Sequence, residues 1–209
     1  MPRSLCSNTF KRVSNLNFTV SRRINGVKRS NRGEFVPVIE NGKIHYGGHQ
    51  ENLKYRKVPK FYRDRSCVVT AFTNAYLYLY RPKDKFTIEE YNDYQYWFYK
   101  ILRPKAYGIP SAKVLDLKVN RLRRDYYLNL KAHFLNDSLI CRKNINHVAS
   151  FIKEGLAKDC PVIFFNWAGS KVDVMTHHGV VITEIEDKID DYLLTISSWG
   201  RRYVISLRE

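Results

Sequence analysis

Over residues 66–80, apolar and small side chains recur at Cys67, Ala71, Ala75 and Tyr78, with a second row at Phe72, Tyr76 and Leu79. A 3.6-residue period on two faces predicts a helix buried on more than one side. It ends at the Arg81-Pro82 pair, because the residue before a proline is pushed out of the helical region. Next comes Thr87-Ile88-Glu89-Glu90, a capping box, with Phe86 and Tyr91 at the hydrophobic-staple positions. It opens a helix to about Leu102 whose inner face is Tyr91, Tyr94, Phe98 and Ile101. Leu115, Val119, Leu122 and Tyr126 predict a further helix from Ser111, after Pro110, and Ile145, Val148, Ile152 and Leu156 predict one after Asn144.

From residue 159 the period changes. Residues 161–167, 179–185, 192–196 and 202–207 are short runs rich in β-branched and aromatic side chains, separated by polar turns. Helices first and strands last argue an α+β fold, an N-terminal helical part packed on a C-terminal antiparallel β-sheet. Residues 34–56 carry Pro37, the Asn41-Gly42 turn and Gly47-Gly48, which predicts an extended lead-in to a domain over 57–209.

Residues 1–33 show no sustained period. They hold eight basic side chains and no acidic one, so this segment carries half of the net +16 of the 209-residue chain. The pattern reads as a basic mobile arm, with an anionic polymer as the candidate partner. The 44% hydrophobic content nevertheless excludes a wholly disordered polycation. Apolar runs such as residues 75–80 and 162–165 fall far short of the roughly 20 residues a membrane helix needs. No secretory h-region follows the first charges, so a cytoplasmic location is expected. The four cysteines (Cys6, Cys67, Cys141, Cys160) form no CxxC pair, the six histidines form no HExxH, and no GxGxxG or GxxxxGK string occurs. No metal or cofactor site is expected.

The candidate chemistry centres on Cys67, at the proposed start of the first long helix. There the helix dipole and free backbone N–H groups favour the thiolate, with Arg63 and Arg65 pushing the same way and Asp64 opposing. A thiol nucleophile needs a base, and His177 and His178 stand at the head of a predicted strand, where an imidazole can be held rigidly.

Cys-Val-Val-Thr-Ala-Phe-Thr-Asn (67–74) resembles the Cys-Gly-Pro-Thr-Ala-x-x-Asn string that opens the catalytic helix of papain-like cysteine peptidases of the bacteriocin-leader-processing type. His-Gly-Val-Val-Ile-Thr-Glu-Ile (178–185) resembles their histidine strand, and Thr-Ile-Ser-Ser-Trp-Gly (195–200), followed by Tyr203-Val-Ile, is similar to the Asn-Ser-Trp-Gly segment of papain relatives. The resemblance covers residues 57–208 and rests on the joint order of three motifs. It implies a papain-like fold and a thiol enzyme that cleaves or transfers an acyl group at a peptide bond. Cys67 would be the nucleophile, His178 the base, Ser197 the third member in the column of the family's Asn, and Trp199 a lid over the pair. The family's oxyanion Gln column falls near Phe61, and the nearby Gln is Gln50. An oxyanion donor of another kind is then required, either Arg63 or the backbone N–H of Cys67. Two readings follow: a cysteine peptidase or related acyl transferase acting on a peptide or protein, and a catalytically silent domain that binds a peptide or an anionic polymer.

Overall fold

The computed structural model describes residues 24–28, 35–135, 144–166 and 175–208. The rest of the predicted arm, together with Cys6 and Cys141, lies outside the described residues. In chain order the elements are β1 (Ile24–Gly26), β2 (Pro37–Glu40), β3 (Lys43–Tyr46), a 3-10 helix (Gln50–Arg56), α1 (Lys60–Arg63) and α2 (Cys67–Tyr80). They continue with β4 (Phe86–Thr87), α3 (Ile88–Leu102), α4 (Ala112–Tyr126), α5 (Ile145–Ala157), β5 (Val162–Asn166), β6 (His178–Asp187), β7 (Tyr192–Ser198) and β8 (Arg201–Ser206). The fold is α+β.

The main sheet is antiparallel, with β6 bordered by β7 on one side and by β1 and β5, end to end, on the other; β8 pairs with β7. Six consecutive residues of β6, His178 to Thr183, are buried, so both faces of this strand are covered and its apolar residues need not alternate. Helices α2 and α5 both pack on it. A second, small sheet joins β2 and β3 as an antiparallel hairpin and adds β4 in parallel to β2.

The capping residues do what their chemistry dictates. Thr87 and Glu90 close a reciprocal capping box on α3, while Ser111 and Asn144 accept backbone N–H bonds at the heads of α4 and α5. Helix α2 is the central element, with every residue from Cys67 to Tyr78 buried. Two of its polar members are satisfied locally, since the Thr70 and Thr73 hydroxyls donate to the carbonyls of Ser66 and Val69.

Two expectations are corrected. The segment read as an unpacked arm contributes a strand, because Ile24–Gly26 pairs with residues 184–186 of β6, Val27 is fully buried, and its N–H donates to the Thr183 carbonyl. One isolated valine carried too little periodicity to announce a three-residue edge strand. The lead-in is not wholly extended either. Gln50–Arg56 forms a 3-10 helix capped by His49, whose Nδ1 accepts from Glu51 N, and closed by Lys57 in the left-handed conformation. Among the described residues no helix is long and apolar enough to cross a membrane.

Candidate active site

Helix α2 begins without a side-chain cap. Ser66 occupies the N-cap position, but its hydroxyl donates backwards to the Tyr62 carbonyl. The backbone N–H groups of Gly179 on β6, of Val68 and of Cys67 itself favour the charged form of the Cys67 thiol. Gly179 makes the approach of β6 to α2 possible, since a Cβ there would stand 2.6 Å from Val68 Cγ2. The strand therefore crosses the head of the helix at the residue directly after His178. The head of α2 thus meets the residue that follows His178 in the chain.

The imidazole of His178 is held on two sides. Its Nε2 lies 2.8 Å from the Ser198 hydroxyl at the end of β7, and the Trp199 ring packs on it with centroids 4.8 Å apart at 39°. Nδ1 has no hydrogen-bond partner among the described residues. Trp199 adopts φ 47° and Gly200 φ 70°, so the two residues that turn β7 into β8 are both left-handed, and the ring is carried back over the histidine.

A third segment closes the site. The Tyr46 N–H donates to the Gly200 carbonyl, the Gly200 N–H to the Gly48 carbonyl, and the Gly47 N–H to Val36. Gly47 has φ +85°, and a Cβ on it would fall 2.6 Å from Ser197 Oγ and 2.7 Å from Asn74 Nδ2. Asn74, two turns along α2 from Cys67, accepts from both Gly48 N and the Tyr91 hydroxyl. Gln95, fully buried, donates to the His49 carbonyl and to Thr70 Oγ1. Residues 46–49 are thereby pinned between α2, α3 and the β7–β8 turn, which brings the His49 ring near His178.

The electrostatics describe a neutral pair. Burial pushes the Cys67 thiol above its ordinary value despite the three backbone donors, so desolvation outweighs the helix terminus. Burial, with a further push from His49, lowers His178 to about 4. The expectation of a thiolate favoured by the helix dipole and by two arginines is therefore corrected. Arg63 is committed elsewhere, through Nε to Glu51 at 3.1 Å and through a terminal nitrogen to the Val58 carbonyl. Arg65 bonds the carbonyls of Phe61 and Ala106 and lies over the Phe61 ring.

Of the residues singled out in the sequence, His178 and Trp199 come together, and the head of α2, where Cys67 stands, meets β6 at the neighbouring Gly179. Ser197 does not reach the imidazole, because its hydroxyl points to the other face of β7 and donates to the Tyr46 carbonyl at 2.7 Å. Its neighbour Ser198 faces His178, the two-residue period of a strand placing adjacent serines on opposite sides. Arg63 is not available as an oxyanion donor, and Gln50 spends its amide on the Asp64 carbonyl. His177 is exposed, with φ 49°. His49, Asn74, Tyr91 and Gln95 were not read as site residues. The Gly47-Gly48 pair before His49 was the available signal, since adjacent glycines mark close backbone approach. No protein-family model, curated protein or solved structure matches the chain.

Proposed function

We propose that the protein is a thiol acyl-transfer enzyme, with peptide-bond hydrolysis as its reaction and a fold of the papain-like type. The observation that carries this reading is that β6 crosses the head of α2 at Gly179, whose backbone acts on the Cys67 thiol, while the preceding residue, His178, has its ring held by Ser198 and Trp199. With both groups neutral at rest, the imidazole acts as a general base. As Cys67 Sγ bonds to the carbonyl carbon, its proton passes to His178 Nδ1 and the carbonyl π pair moves to oxygen. Collapse of that intermediate breaks the C–N bond, and the amine leaves with the proton from the imidazolium. Water, deprotonated by the same nitrogen, then releases the acid and restores the thiol. The developing oxyanion is met by the backbone N–H of Cys67 and by His49, whose Nδ1 accepts from Glu51 N and so leaves the proton on Nε2.

An activated ester such as p-nitrophenyl acetate tests the reading without knowledge of the peptide. A burst of nitrophenolate is expected, with the acetyl group recovered on the peptide that contains Cys67. The burst vanishes in Cys67→Ala and in His178→Ala and survives in Cys160→Ser. A burst retained by Cys67→Ala overturns the proposal. The reading of a catalytically silent domain is favoured by the raised thiol pKa and by the absence, among the described residues, of a carboxylate partner for the imidazole, and it expects no burst at all.

A further inference from the structure

The net positive charge outside the N-terminal segment is concentrated in one stretch of the chain. Residues 100–131 hold nine basic and two acidic side chains, a surplus of +7, so that with the +8 of residues 1–33 this stretch accounts for all but one unit of the net +16. In the fold this stretch runs from the end of α3 through α4 to the segment after it. The two acids are already engaged. Asp125 is bound by Arg121 and Arg124, and Asp116 accepts from Asn120. Arg103, Lys105, Lys113, Arg123 and Lys131 face no carboxylate among the described residues. The Lys118 ammonium, bonded to the carbonyls of Leu102 and Arg103, is held below its ordinary pKa by partial burial and by the charges of Lys105, Arg121 and Arg103. Of these crowded cations only Arg121 has a carboxylate partner among the described residues.

At the end of α4 this surface contains an open cleft of about 480 Å³ lined by Asn120, Arg123, Arg124, Tyr127, Leu128 and Asn129. Tyr127 closes the helix with φ 52°, a conformation suited to glycine or asparagine at that position, yet its side chain is 92% exposed. A left-handed tyrosine costs about 1–2 kcal/mol in backbone energy, and here no packing offsets it. What the position yields is an aromatic plane projecting into solvent at a cleft that Arg123, Arg124 and Asn129 also line.

We infer that the α4 surface binds single-stranded nucleic acid, with Arg123 and Arg124 on backbone phosphates, a base stacked on Tyr127, and Asn129 facing a base edge. Cation, aromatic plane and amide together are the combination that a nucleotide uses in full. An anionic lipid surface or an acidic peptide would use the charge alone. This site is separate from the thiol chemistry and does not depend on it.

The test is fluorescence anisotropy of the full chain with a labelled single-stranded RNA of about 20 nucleotides, and with the matching DNA, across a salt series. Wild type binds with an affinity that falls linearly on a log–log plot against salt. Arg123→Gln/Arg124→Gln lowers the slope by roughly 1.4, about 0.7 for each phosphate lost. Tyr127→Asn, which suits the left-handed backbone, weakens binding roughly ten-fold with the salt slope unchanged. Circular dichroism melts of both variants match wild type, which separates lost binding from lost folding. Two results overturn the inference. If neither variant alters affinity, binding lies elsewhere on the chain. If the arginine variant weakens binding and Tyr127→Asn does not, or if polyglutamate or anionic vesicles compete as well as RNA, the surface is a generic polyanion site.

Discussion

The Ser198 hydroxyl and His178 Nε2 stand 2.8 Å apart, while the hydroxyl of the preceding serine turns away to the Tyr46 carbonyl. Two adjacent serines of one strand thus divide orientation of the imidazole and attachment of the β3 end between them. Ser198→Ala is expected to slow acylation of Cys67 by about 10- to 100-fold, because an imidazole without its second partner loses its fixed tautomer and direction. Ser197→Ala leaves the acylation rate near wild type and lowers unfolding free energy by about 1–3 kcal/mol, the cost of a buried acceptor losing a donor. Ester bursts and denaturant melts on both variants measure the contrast. The same loss of rate in both would contradict the division.

Acid sensitivity follows from His178. Its folded-state pKa of about 4 lies below the ordinary 6.5, so between these values the unfolded chain binds the extra proton. Stability is therefore fully present above about pH 6.5 and is lost as the pH falls toward 4, by an amount of about 3 kcal/mol. Denaturant midpoints from pH 7 to pH 4 should fall in the wild type and much less in His178→Phe. A flat wild-type profile would show that the ring is not desolvated.

The same pair sets the pH dependence of alkylation. With the thiol raised by burial, iodoacetamide modification of Cys67 is expected to climb past pH 9 rather than level off in the acid range as it does for a preformed thiolate–imidazolium pair. Replacing His49 by Asn keeps a side-chain acceptor for Glu51 N and removes the neighbouring ring that helps to depress His178. The acid limb of the ester burst should then move to higher pH. An unmoved limb means that the two imidazoles do not sense each other.

Gly179 sets how close β6 comes to α2. Gly179→Ala is expected to destabilise the fold and to lower Cys67 reactivity together, because its methyl group would meet Val68 Cγ2 at 2.6 Å. Adding Val68→Ala makes room and restores part of both. A double-mutant cycle by chemical denaturation measures this, and strict additivity would exclude the contact as the cause.

How far the chain could be read from its sequence differed by element. The long helices were legible because periodicity, a capping box, Ser111 and Asn144 all agreed, and the four C-terminal strands because β-branched runs stood between polar turns. β1 was not legible, since a three-residue edge strand takes its place from the exposed side of β6 rather than from any pattern of its own. Cys67 and His178 were singled out by the order of motifs. The choice between Ser197 and Ser198 could not be made in this way, because a β-bulge near Thr183 shifts the register between β6 and β7, and register decides which serine faces inward. Nor could the protonation state of the thiol be read. The dipole at a helix start is visible in a sequence, whereas the desolvation that outweighs it depends on what later covers the sulfur.

The clamp between residues 46–49 and Gly200 also sets an order of events during synthesis. Tyr46 and Gly48 leave the ribosome early, and the backbone groups they pair with arrive some 150 residues later. At roughly 5–20 residues per second, Cys67 spends about 7–26 s as a nascent thiol before Ser198, Trp199 and Gly200 exist to complete the site. A ribosome that stops short of the β7–β8 turn would release a chain containing both Cys67 and His178 yet unable to orient them. Any acyl chemistry at this site would therefore report that translation had reached the final strand.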